Sequence, residues 1–92
     1  MQQRHLKIEG KVQGVGYRNW FAKQAQLLGI QGYVRNLPDG SVEAYIEATS
    51  TILDQLIEQS WQGPSRAEVT AIHQNVMAEQ ELMTFKDFQI RR

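Results

Sequence analysis

Two residue types suited to anion chemistry stand in glycine-bearing stretches of this sequence. In Gly10-Lys-Val-Gln-Gly-Val-Gly-Tyr-Arg18, two closely spaced glycines precede an arginine. In Gly32-Tyr-Val-Arg-Asn36, an asparagine stands before a Leu37-Pro-Asp-Gly40 run. Glycine lets a chain curve until successive N–H groups face one concavity, and lets a phosphate approach the backbone closely. Arginine adds a charge-assisted, bidentate contact to such an anion. An amide side chain both donates and accepts, so Asn36 can position a water without being a base. Each stretch also has a plain structural reading. Gly14 and Gly16 suit a tight strand-to-helix connection, and Asn36 suits a turn.

The elements that must hold these residues follow from periodicity. From Arg4 to Gln13, apolar Leu6, Ile8 and Val12 alternate with His5, Lys7, Glu9 and Lys11, which predicts a half-buried strand. Phe21, Ala22, Ala25 and Leu28 predict a helix over Tyr17–Leu28, closed by Gly29. Arg18 then falls in the first helical turn, where a cation opposes the positive end of the helix dipole. A site built for an anion removes that conflict.

Gln31–Asn36 and Ser41–Ala48 read as a hairpin around Pro38-Asp-Gly40. A second helix should start at Ser50 or Thr51, with Asp54 in its first turn. Its apolar stripe is Ile52, Leu53, Leu56, Ile57 and Trp61, and Gly63-Pro64 ends it. Ala67–Met77 alternates imperfectly and suggests a strand with a bulge. Met77–Thr84 reads as a polar loop, and Phe88 and Ile90 as a short fifth strand. The β-α-β-β-α-β order predicts an α+β, ferredoxin-like sandwich of residues 1–92, with two helices on one face of a mixed sheet. The other face should be solvated, with Glu43 and Glu47 as solubilising charges.

Composition narrows the function. Ten basic and ten acidic residues cancel, so no global field attracts nucleic acid or an anionic membrane. Tyr33 and Tyr45 could stack bases on central strands, but the glutamates beside Tyr45 oppose that use. Zero cysteines exclude disulfides, thiolate metal sites and a cysteine nucleophile, and fit a cytoplasmic setting. His5 and His73 are too far apart in sequence to suggest a metal site, and no cofactor motif is present. Neither a leader-like apolar segment nor a run of roughly 20 apolar residues occurs. The Gly14-containing loop lacks a Gly-Lys-Ser/Thr ending and is not a Walker loop.

Taken together, the two stretches resemble the signatures of the acylphosphatase family. Ile8-x-Gly10-x-Val12-Gln13-Gly14-Val15-x-Tyr17-Arg18 is similar to one, and Gly32-Tyr33-Val34-Arg35-Asn36-x-x-x-Gly40-x-Val42 to the other. Gly63-Pro64-x-x-Ala67-x-Val69 and Phe88-x-Ile90-Arg91 extend the likeness along the chain. Two positions depart from it: Tyr17 replaces a usual phenylalanine, and Ala48 a usual glycine.

The resemblance implies hydrolysis of a small-molecule acyl phosphate to carboxylate and phosphate, without metal or cofactor. It also implies that Arg18 and the amides of Gly14, Val15, Gly16, Tyr17 and Arg18 hold phosphate, while Asn36 orients the attacking water. A monomer acting on neither nucleic acid nor membrane is expected. The alternative is a non-catalytic module of the same fold that binds an anion or docks on a partner.

Overall fold

The computed structural model describes residues 1–92. β1 (Gln2–Lys11) leads through the glycine loop into α1 (Tyr17–Leu27), followed by β2 (Gln31–Asn36) and β3 (Val42–Ala48). α2 (Ser50–Gln62), β4 (Glu68–Val76), a 3-10 turn at Glu79–Glu81 and β5 (Phe88–Arg91) complete the order. The five strands form one sheet in the order β4-β1-β3-β2-β5. β1 runs antiparallel to both β3 and β4, and β2 antiparallel to β3, whereas β5 joins β2 in parallel. The result is the expected ferredoxin-like sandwich, two helices on a mixed sheet.

Alternation along the strands produces the core. Leu6 and Ile8 of β1, Val34 of β2, and Val42, Ala44 and Ile46 of β3 are buried with Phe21, Ala22 and Ala25 of α1. Leu53, Leu56 and Ile57 of α2 close the other half. The irregularity expected in β4 is present: Glu9 faces Ala71 while Gly10 faces Val69, which leaves Thr70 as the extra residue of a bulge.

The structure corrects several expectations. α2 is preceded by Thr49, not by Ser50 or Thr51, and its first turn holds no acid. Asp54 lies further along and pairs with the guanidinium of Arg4 at 2.7 Å. Trp61 is 48% exposed and leaves the apolar stripe; buried Ser60 takes its place. Seven residues from Leu53 return to within about 20° of its direction at 100° per residue, whereas eight overshoot to about 80°.

The second sheet face is also less solvated than expected. Burial pushes the Glu43 carboxyl up, but His5 at 2.9 Å and Arg35 at 2.6 Å outweigh it and hold the carboxyl below its ordinary value. Glu47 accepts a hydrogen bond from the Gln3 amide at 2.8 Å. Both glutamates are therefore cross-strand partners as well as charges. Tyr33 is buried beneath Phe85 and the Arg91 guanidinium, which stands 4.0 Å from its ring centre. His73, in β4, meets Glu9 at 3.0 Å. No helix is long and apolar enough to cross a membrane.

Candidate active site

Ile8 of β1 and Asn36 of β2 both pair with Val42, so β3 separates the ends of β1 and β2. Two strand spacings make that gap roughly 10 Å. The loop after β1 crosses toward Asn36, and the Gln13 side chain secures it. Its amide nitrogen donates to the carbonyls of Leu37 and Ser41, each at 2.8 Å. Gln13 thus ties the loop to the turn that follows Asn36.

The loop conformation depends on its glycines. Gly14 has φ 73° and Gly16 φ 79°, and neither position is crowded, so backbone strain rather than space disfavours a side chain there. Gly16 precedes α1 in a left-handed conformation, with no capping side chain and no acid in the first turn. The first helical hydrogen bond is donated by Trp20 to the Gly16 carbonyl at 3.0 Å. The amides of residues 14 to 19 find no acceptor within the protein. They are the free donors that an uncapped helix start provides.

A depression of about 200 Å³ opens over these amides, lined by Val12, Gln13, Gly14, Gly16, Tyr17, Arg18, Asn19 and Asn36. Two of the side chains that line it each carry a buried polar atom without a partner: Nε of Arg18 and Oδ1 of Asn36. An unpaired buried donor or acceptor is costly, and the two are of opposite kind. Nε of Arg18 is a donor, and Oδ1 of Asn36 an acceptor. Another guanidinium nitrogen of Arg18 donates to the Arg91 carbonyl at 3.4 Å, which links the arginine to β5.

The structure therefore brings Gly14, Gly16, Tyr17, Arg18 and Asn36 to one depression. Val15 does not line it; its side chain packs against the core. Gln13 and Asn19 are lining residues beyond those singled out from the sequence, although Gln13 stands inside the first signature. Tyr17 is 1% exposed, and its hydroxyl donates to the Ser60 carbonyl at 2.8 Å. Burial pushes that phenol well above its ordinary pKa and keeps it a donor. Ala48 has ordinary strand geometry, for no residue other than glycine has positive φ.

A sequence model of the Acylphosphatase family matches residues 4–90. The chain belongs to the acylphosphatase family. It is 51% identical over 85 residues to an acylphosphatase of Acaryochloris marina, across 92% of this chain and 88% of that one. It superposes on the crystal structure of acylphosphatase from Bacillus subtilis with a TM-score of 0.93 and 29% identity, covering 100% of both chains. It also resembles part of the HypF of T. kodakarensis, with a TM-score of 0.85 and 26% identity. That likeness covers 100% of this chain but 12% of HypF.

Proposed function

We propose that this chain is an acylphosphatase in the enzymatic sense, hydrolysing the carboxyl–phosphate anhydride of small acyl phosphates. The observation that carries the reading is one depression lined by Arg18 and Asn36, whose Nε and Oδ1 have no partner within the protein. Together they call for an anion and a hydrogen-bond donor side by side, which phosphate and water supply. Membership of the acylphosphatase family supports this reading.

In this mechanism the Arg18 guanidinium and the amides of Gly14, Val15, Gly16, Tyr17 and Arg18 hold the equatorial oxygens of the phosphoryl group. Asn36 Oδ1 accepts a hydrogen bond from the attacking water and fixes its lone pair toward phosphorus, opposite the acyl oxygen. The P–O bond to the acyl group breaks as the bond to water forms, and the electron pair leaves with the carboxylate. A carboxylate is a good leaving group and needs little protonation. Neither a histidine nor an acid lines the depression, so the water's proton passes to a phosphate oxygen or to solvent. The protein's contribution is then positioning and charge stabilisation.

The test is hydrolysis of a synthetic acyl phosphate by the purified chain in EDTA, beside Arg18→Ala and Asn36→Ala. Turnover by the wild type and loss in both variants is the expected result; full activity in both variants overturns the residue assignment. Likeness to part of HypF keeps the second reading, a non-catalytic anion-binding or partner-docking module. Phosphate binding without turnover favours that module. In the reading preferred here, residues 1–92 act as one monomeric domain in the cytoplasm on a small-molecule substrate, which the cysteine-free composition suits.

A further inference from the structure

The two helices end differently, and the difference leads back to the site. At the end of α1, the Gly29 amide donates to the Gln26 carbonyl at 3.1 Å and the Ile30 amide to the Ala25 carbonyl at 2.9 Å. This paired arrangement occupies two of the last-turn acceptors. α2 also ends on a positive-φ glycine, Gly63, but the next residue is Pro64, which has no N–H to donate. Proline also forces the preceding residue toward extended geometry, and Gly63 has ψ −171°. The Gly63 amide reaches the Gln59 carbonyl at 3.1 Å, and no backbone amide reaches Ser60.

Ser60 is fully buried, so its carbonyl cannot turn to water. Its own hydroxyl donates to the Leu56 carbonyl at 2.7 Å and is committed there. The missing donor is the Tyr17 hydroxyl, 2.8 Å away, from the first residue of α1. The Tyr17 ring is held between Trp20 and the end of α2: a side chain on Gly63 would come within 3.0 Å of it.

We infer that Tyr17 is a positioning residue for the phosphate site, its hydroxyl latching the start of α1 to the end of α2. The latch acts one residue before Arg18 and within the run of free amides, so it holds both in place before ligand arrives. The inference rests on the assignment of phosphate to this depression. Losing the latch leaves the loop to be ordered by the ligand, a cost that falls on binding more than on the chemical step.

Tyr17→Phe removes only the hydroxyl. It is expected to weaken inorganic phosphate binding and raise KM for an acyl phosphate by about 3- to 10-fold, the scale of one modest hydrogen bond, with kcat within about twofold. A lower Tm with phosphate affinity and KM both unchanged overturns the inference and leaves the hydroxyl a structural group only. A wild-type measurement stands beside the variant should it fold poorly. Coupling is reciprocal, so saturating inorganic phosphate should slow exchange of the Tyr17 hydroxyl proton with water, followed by NMR. An exchange rate indifferent to bound phosphate overturns the latch. Failure of the phosphate-site reading itself is seen separately, as wild-type-like phosphate binding in Arg18→Ala.

Discussion

The N-termini of α1 and α2 are both uncapped by any side chain and both lack an acid in the first turn, yet only one of them lies in a depression with unpaired side-chain atoms. α2 is entered through Thr49 in extended geometry, and Thr49, Ser50 and Thr51 are exposed. Water can satisfy the amides there. α1 is entered through a left-handed Gly16 after a loop that Gln13 ties toward Asn36. Its amides face a recess shared with Arg18 and Asn36. A free helix start is common to both ends; a recess lined by a guanidinium and an amide, each with an unpartnered buried atom, is confined to one.

That contrast is broken most severely at Arg18. Arg18→Ala should lower kcat/KM by about 10²-fold or more and weaken inorganic phosphate competition, leaving α1 with a bare N-terminus much like that of α2. Steady-state hydrolysis and phosphate inhibition measure both effects. Asn36→Ala removes the acceptor and keeps the cation. Its kcat should fall by roughly 10²-fold while phosphate inhibition stays near the wild-type value. A parallel loss of phosphate affinity would show that Asn36 holds the anion, not the water.

A pair of glycines sharpens the contrast between the two ends of α1. Gly16 and Gly29 have nearly the same φ, 79° and 72°, and open space where a side chain would stand. Alanine at either should cost about 1–2 kcal/mol of stability through left-handed strain alone. Denaturant midpoints are therefore expected to fall together. KM should rise only in Gly16→Ala, because the loop amides depend on that residue and the Gly29 end is closed by its own hydrogen bonds.

Local patterns were readable where they depended on near neighbours. The alternation of Leu6, Ile8 and Val12 and the helix stop at Gly29 follow from residues close in sequence, and the fold class follows from the order of the elements. Arg18 and Asn36 were identifiable as chemical types, but their lack of partners exists only once every other nearby group has found one. Glu43 shows the same limit in reverse. Strand alternation places it on the polar face, while its pairing with His5 and Arg35 needs the registers of β1 and β2 against β3. Gln13 bonds residues beyond Asn36, and Tyr17 bonds the far end of α2, so neither partner is encoded in local spacing. Trp61 reads as part of the apolar stripe by residue type, whereas the helical repeat points Ser60 more directly inward.

The smallest expected effect comes from placing the same charge at both helix starts. Thr51→Asp adds a carboxylate to the exposed first turn of α2 and should raise stability by about 0.3–1 kcal/mol, read as a higher denaturant midpoint, without altering kinetics. Asn19→Asp adds one to the first turn of α1, where it also should favour the helix dipole. Asn19 lines the recess, however, so its new charge would repel the phosphate that the dipole and Arg18 attract. Stability and phosphate affinity should therefore move in opposite directions at α1, with affinity falling by about 10-fold, the effect of one like charge near a partly exposed site. Raising the salt concentration should shrink that penalty. A gain in stability at α1 with no loss of phosphate affinity would mean that the anion does not sit at the helix start, and the two N-termini would then be alike in function as well as in capping.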